Sequence, residues 1–353
     1  MAVNLHVAES LFLIKKHIIP LKGTRLIKKY LMENHNIYWW NLENLFDIEN
    51  SSRRSLFLND RLDSELIGWT QAVLDQKIDN ISSIIAKFNN NNGPDILGVC
   101  EVENAHVLQL LSNRLNVLLG RNYTFAIIDG EDKRGIDTAL IYDSDKYDQK
   151  PETFTLRITK RNPTRDLFQV QLTTLSGNTL VLILNHWPSR SGGHLESEPF
   201  RIMVAENLSY WVERIHEELG NETSILLMGD FNDNPYDRSI TKYLQSTNIK
   251  KKVMNAKNHF FYNVMYQFLD QNKGTHVWGS EVNILDQFLV SKNILSQSNT
   301  HPFKIDTVEI VDSPELVKGA YKKAIRFSRP NKSDFNLNGY SDHLPISITL
   351  KEE

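Results

Sequence analysis

Six short apolar runs in this chain each stop on an acid, an amide or a histidine, and that repetition constrains the fold more than any other feature. The clearest is Ser224-Ile225-Leu226-Leu227-Met228, followed by Gly229-Asp230-Phe231-Asn232-Asp233-Asn234-Pro235. An apolar run of this length bounded by turn residues predicts a buried strand. Gly229 is expected to let the backbone turn, so that Asp230 and Asn232 stand at the strand's mouth. The same design recurs at Ile37-Tyr38-Trp39-Trp40-Asn41-Leu42-Glu43, at Asp95-Ile96-Leu97-Gly98-Val99-Cys100-Glu101 and at Leu180-Val181-Leu182-Ile183-Leu184-Asn185-His186. It appears again at Asn283-Ile284-Leu285-Asp286-Gln287-Phe288, and Tyr340-Ser341-Asp342-His343-Leu344-Pro345-Ile346 inverts it, with the polar residues leading into a final strand. One run ending on Asp or Asn would be an ordinary turn. Six of them predict strand ends gathered along one sheet edge, where layered α/β proteins hold ligands.

The elements between these runs predict how the strands are covered. Leu74, Ile78, Ile81, Ile85 and Phe88 recur at helical spacing, and Asn89 to Asn92 with Gly93-Pro94 stop that helix. Val107, Leu108, Leu111, Leu115 and Leu118 mark a second helix. A third, Ser197 to Leu219, is expected to bury Val204, Leu208, Trp211 and Ile215. Strand-rich halves with covering helices and no internal linker predict two packed sheets with helices outside. Lys250 to Gly279 reads as an irregular excursion. Residues 1–35 form a separate basic segment, in which Val7, Leu11, Ile14 and Ile18 predict an amphipathic accessory helix ending near Pro20.

Composition narrows the function classes. The chain has 353 residues, enough for a large core, and a formal net charge of −3, which argues against nucleic-acid binding by bulk electrostatics alone. No stretch reaches the roughly twenty apolar residues needed to span a bilayer. The short run Leu11 to Ile14, cut off by Lys15-Lys16, makes a poor signal peptide. The one cysteine, Cys100, lies inside an apolar run and reads as a core residue, which fits a reducing, cytoplasmic setting. No protein partner is evident, and a monomer is expected.

Taken in order, Asn-x-Glu, apolar-Glu, Asn-His, Gly-Asp-Phe-Asn, Leu-Asp-Gln and Ser-Asp-His-x-Pro resemble the endonuclease/exonuclease/phosphatase superfamily over roughly Asn36 to Leu350. Trp-Asn-Leu-Glu-Asn-Leu-Phe-Asp, Arg-Gly-Ile-Asp-Thr-Ala-Leu-Ile-Tyr and Asn-His-Trp-Pro-Ser-Arg look closest to a bacterial subgroup. The resemblance implies an α/β fold, a four-layer α/β/β/α sandwich of two packed mixed β-sheets, for a catalytic domain over residues 36–353. It also implies a phosphoesterase site. Hydrolysing a phosphate ester needs a nucleophilic water, charge neutralisation on the phosphoryl oxygens and help for the leaving oxygen. Oxygen ligands with no second cysteine favour Mg²⁺ or Mn²⁺ over Zn²⁺.

By resemblance, Glu101 and Asn41 hold the ion, Glu43 falls where relatives have an acid that touches it through water, and Asp342 is the remaining carboxylate on the metal side. The alternative for Glu101 is an acid near the N-cap of the helix that begins at about Ala105. Asp230 and Asn232 resemble the pair that orients the attacking water and binds the scissile phosphate. Asp286 and His343 resemble a carboxylate–imidazole pair, in which the carboxylate fixes the tautomer and favours the imidazolium. Either His343 or Asp230 takes the water's proton. His186 matches the second histidine of the deoxyribonuclease branch, protonating the leaving oxygen or holding the phosphate.

On the substrate side, Asn185, Arg134 and Arg190 are candidate contacts, with Pro188-Ser189-Arg190-Ser191-Gly192-Gly193 as an anion cradle. Lys318, Lys322, Lys323, Arg326, Arg329 and Lys332 form an acid-free run interleaved with Tyr321 and Phe327. A run of like charges is ordinarily just a solvated loop. Its entry into the Asp342-His343 strand points instead to Arg326 and Arg329 tracking phosphates, and hence to DNA or RNA as substrate. The competing expectations are a phosphodiesterase or phosphatase for a small molecule or a phospholipid headgroup, as in sphingomyelinases, and a non-catalytic binding module.

Overall fold

The computed structural model describes residues 33–62, 64–130, 132–158, 164–328 and 335–353. The helix expected between Val7 and Pro20 lies outside the described residues, and sheet pairing begins at Glu33. One six-stranded sheet runs, edge to edge, Phe303–Ile310, Ile346–Glu352, Glu33–Leu45, Ile96–Val102, Asp137–Asp143, Tyr123–Ile127. The Glu33–Leu45 and Ile96–Val102 strands are parallel and the other neighbours antiparallel. The second sheet has seven strands: Glu152–Leu156, Leu167–Thr173, Thr179–His186, Ser224–Asp230, Asp286–Val290, Phe261–Asn263 and Ser246–Thr247. Its central pair, Thr179–His186 and Ser224–Asp230, is also parallel.

The period-two alternation of these strands sorts their side chains into two cores. Leu180, Leu182, Leu184, Leu226 and Met228 join the same cluster as Ile37, Trp39 and Val99 of the first sheet. Val181, Ile183, Ile225 and Leu227 point the other way, onto Val204, Ala205, Leu208, Val212 and Ile215 of the helix His194–Leu219. The helices Gln71–Ile85 and Ala105–Leu119 cover the first sheet through Leu74, Ile81, Leu108, Leu111 and Leu115. The result is an α/β four-layer sandwich of two mixed sheets.

The predicted helix stop is built from backbone conformation: Asn89, Asn90 and Asn91 all have positive φ, which asparagine tolerates better than most residues. Two local expectations change. Lys250 to Gly279 is ordered as a short helix Lys250–Met254, an edge strand Phe261–Asn263 and a strand His276–Trp278 that pairs with Glu281–Asn283. These pieces are set by tertiary pairing, too short for periodicity to show them. Gly229 does not turn the chain; it lies within the Ser224–Asp230 strand opposite Asn185. A Cβ there would fall well inside contact distance of the Asn185 carbonyl and Cβ. Gly229→Ala should therefore cost about 3 kcal/mol, the upper end for overpacking a tight core. Chemical denaturation would measure it, and a loss within about 0.5 kcal/mol, typical of a surface change, would contradict the close approach.

Candidate active site

Register delivers the polar strand ends to one place. In the second sheet His186 pairs across from Asp230, and Asp230 from Asp286. In the first, Asn41 lies opposite Cys100, immediately before Glu101. Both first-sheet strands break register here, between Asn41 and Leu45 and between Cys100 and Val102. Such bulges re-aim side chains. Glu43, Asn44 and Glu101 have φ of 50°, 61° and 61°, and Asn232 has 52°. Left-handed backbone at non-glycine residues costs about 1–2 kcal/mol each and clusters where geometry serves function. The sheets are stitched by polar bonds: Asn41 Nδ2 donates to Asp230 Oδ2 at 3.2 Å, and Trp39 Nε1 to Asp286 Oδ1 at 2.9 Å.

The expected carboxylate–imidazole pair is present as a 2.7 Å contact between His343 Nδ1 and Asp286 Oδ2. Asp286 is fully buried, and the Thr275 hydroxyl accepts both its backbone N–H and that of Leu285. The Ser341 hydroxyl donates to the Asn41 carbonyl at 2.6 Å and accepts the His343 N–H at 3.1 Å. Burial opposes a charge on His343, yet Asp286 and Asp230 hold the imidazolium well above the usual histidine range. Burial and Asp286 raise the Asp230 carboxyl to about 7, against the pull of His343 and the Asn232 amide. His186 goes the other way. Burial first, then Arg165 and Arg134, push it well below the usual range, so it is a neutral ring.

His186 Nε2 lies 3.7 Å from Glu101 Oε1 and 3.9 Å from Asp230 Oδ2, and His343 Nε2 is also 3.9 Å from Asp230 Oδ2. These distances exceed those of hydrogen bonds. Glu101 Oε2 accepts the Asn44 N–H at 3.0 Å, and Arg134 bridges Glu101 (3.5 Å) and Asn44 Oδ1 (2.8 Å) at the mouth. The helix-cap alternative for Glu101 is removed: Asn104 caps Ala105–Leu119, accepting from His106 and Val107.

Glu43 and Asp342 sit differently from the expectation. Glu43 is 1% exposed, and its Oε1 takes Arg326 Nε at 2.7 Å while its Oε2 takes the Phe327 amide at 3.1 Å. Burial and Asp342 raise Glu43 to about 7, against Lys77 and Arg326. Asp342 lies 3.6 Å from the same guanidinium. Burial would raise it too, but His343, His276, Arg326 and Lys77 hold it below the ordinary range. Arg326 is thus turned inward instead of tracking a phosphate backbone, because a buried carboxylate draws in the nearest flexible cation. Lys322 is likewise paired, with Asp312. Arg329 lies outside the described residues.

Two more expected substrate contacts have their polar groups engaged within the protein. Asn185 is fully buried; its amide donates to the Ile183 and Met228 carbonyls and accepts Trp187 Nε1. Arg190 offers no free charge: it binds the Asn232 carbonyl (2.7 Å), Asn283 Oδ1 (3.1 Å) and Asp237 (2.9 Å). Asp233 and Asp237 converge with His194, but Arg190 and Arg201 already neutralise them, so this cluster braces the loop after His186. Arg165 anchors the same loop through the His186 and Trp187 carbonyls and Asp132.

Sequence reading missed Asn44, Thr275, Lys77 and His276. Lys77 had a signal, since it falls within the apolar stripe of Gln71–Ile85, and it is fully buried with Nζ 2.5 Å from the Glu43 carbonyl. His276 packs on His343 with ring centroids 4.8 Å apart. Glu101, Asp342, Glu43 and Asn41 Oδ1 are hard oxygen donors of the type that suits a divalent ion such as Mg²⁺. The buried acid–histidine group, Asp230, Asp286 and His343, is closed by the hydrogen bond between His343 and Asp286.

Comparison with known proteins shows the family and the fold. The model of the Endonuclease/Exonuclease/phosphatase family matches residues 36–352. No curated protein gives a significant sequence match. Among solved structures, an endonuclease/exonuclease/phosphatase family protein from Bacteroides thetaiotaomicron superposes with a TM-score of 0.53 at 17% identity, over 92% of this chain and 100% of that one. The mannosyl-6-phosphatase of the same organism gives 0.51 at 17%, over 90% and 99%. D. rerio TDP2 complexed with single-strand DNA product gives 0.52 at 16%, over 90% and 99%. At these identities the likeness shows the fold.

Proposed function

The chain belongs to the endonuclease/exonuclease/phosphatase family, whose members are phosphoesterase hydrolases, and on that premise we propose that it cleaves phosphodiesters with the help of Mg²⁺ or Mn²⁺. The observation that carries the reading is the meeting of Asn41 and Glu101 from the first sheet with His186 and Asp230 from the second, and with His343 on the segment that leads into the first-sheet strand Ile346–Glu352. An ion bound at Glu101 and Asn41 would supply charge neutralisation on the phosphoryl oxygens. Asp230, poised near neutrality and held by the Asn232 N–H at 2.9 Å, takes the proton of the attacking water. His343 is already protonated through Asp286 and is suited to stabilising the phosphoryl charge. His186, neutral, holds a phosphoryl or leaving oxygen by hydrogen bonding.

For the substrate, a nucleic-acid strand is supported by aromatics. Trp278, 75% exposed, ends the strand that begins at His276 beside His343. Tyr236, also exposed, lies near Arg190 and Glu281 of the same hairpin. Exposed rings beside a phosphoesterase site can stack on bases. A small phosphoester is the second reading, supported by the inward turn of Arg326, which removes a cation from any polyanion track. Assays with Mg²⁺ on plasmid, RNA, bis-p-nitrophenyl phosphate and a hexose 6-phosphate decide between them. Polynucleotide cleavage that Trp278→Ala weakens, with the small diester unaffected, is the expected result. Turnover of the hexose phosphate alone would replace the nuclease reading. Among the described residues no helix is long and apolar enough to cross a membrane.

A further inference from the structure

We propose that Arg326 is a resident counter-cation for Glu43 and Asp342, and that a divalent ion binds this site by competing with it. The proposal rests on the metal-dependent reading above. The Arg326 guanidinium contacts Glu43 Oε1 through two nitrogens, Nε at 2.7 Å and a terminal nitrogen at 2.6 Å, and the same terminal nitrogen lies 3.6 Å from Asp342 Oδ2. It spans the two carboxylates that a hard cation would otherwise draw together. Beneath them, Lys77 is fully buried, its ammonium 2.5 Å from the Glu43 carbonyl and over the rings of Phe327 (4.9 Å) and Trp69 (5.8 Å).

The two cations are not equivalent. Lys77 is fully buried over Trp69 and Phe327, members of the core cluster that also holds Phe46, Leu62, Leu66 and Ile136, so it cannot leave without opening that core. Arg326 is 43% exposed and stands on a loop whose next residues, Phe327 and Ser328, direct their amides to Glu43 Oε2 at 3.1 and 3.4 Å. Ser328 is held at φ 87°, a left-handed conformation that a serine adopts only under constraint. Arg326 can therefore leave without opening the core, and its departure frees Glu43 and Asp342. Until then an ion is offered chiefly Glu101 and Asn41.

The test is Mn²⁺ binding to the full chain, followed by calorimetry and electron paramagnetic resonance, with folding checked by near-ultraviolet circular dichroism. Arg326→Gln, which keeps a hydrogen bond to Glu43 but removes the charge, should bind Mn²⁺ about tenfold more tightly, as expected when a like charge leaves a cation site. Arg326→Lys, which keeps the charge, should stay within about threefold of the unaltered chain on the same argument. Unchanged or weaker binding by Arg326→Gln, or equal tightening by both variants, overturns the proposal while leaving the metal site intact. A second readout needs no variant. Saturating Mn²⁺ should speed hydrogen exchange at the Phe327 and Ser328 amides, and unchanged protection there contradicts displacement. Glu101→Gln should lose Mn²⁺ binding; if it binds as the unaltered chain does, the metal reading itself fails and the proposal with it.

Discussion

Asp230→Ala is expected to lower kcat on bis-p-nitrophenyl phosphate by about a hundredfold or more, the size of effect carried by a positioned base or charge-stabilising group. The side chain is 2% exposed and touches Asn41 Nδ2, the Asn232 N–H and the His186 and His343 rings at the distances given above. Its loss removes the acceptor for the water's proton and one of the acids that keep His343 charged. The fold should survive, since Asp286 still pairs with His343 at 2.7 Å and no buried charge is left without a partner. Asp230 is raised to about 7, so the ionised, active form prevails above that pH and is depleted below it. A nearby cation favours the ionised form. The acid limb of the kcat/KM profile should accordingly lie at or below pH 7, and Asp230→Ala should erase it. A folded Asp230→Ala protein with near-normal kcat would show that another group takes the proton.

The parts of this site that were legible in the sequence are those fixed by strand periodicity. A run of known length ending on Asp230 or Glu101 says which residue reaches the sheet edge, and register then brings His186, Asp230 and Asp286 side by side. The Asp286–His343 contact followed from motif resemblance and stands at 2.7 Å. What could not be read was which partner each polar side chain would choose. Asn185 adjoins His186 in sequence, but alternation turns it away from the mouth, onto Trp187 and the Met228 carbonyl. Arg326 belongs to a basic run that looks solvated until Glu43, 283 residues away in sequence, is seen to be buried against it. Lys77 is the converse: its place in an apolar stripe announced burial, but nothing local announced the carboxylates it faces. Long-range charge pairing is a property of the assembled sheets, and local sequence does not carry it.

The account stands on metal-assisted hydrolysis, and its most direct test is chelation. Glu101, Asp342 and Glu43, with Asn41 Oδ1, are the proposed oxygen donors, and the described cations near them include Lys77, Arg134 and Arg326. Arg326 and Lys77 serve Glu43 and Asp342, and Arg134 stands 3.5 Å from Glu101, too far to supply the full neutralisation a phosphoryl transition state needs. Full-length chain stripped with EDTA, its metal content verified, should therefore lose turnover of bis-p-nitrophenyl phosphate essentially completely. Mg²⁺ or Mn²⁺ should restore it, and Glu101→Gln should blunt the recovery. Undiminished turnover by the verified metal-free chain would contradict the mechanism at its centre.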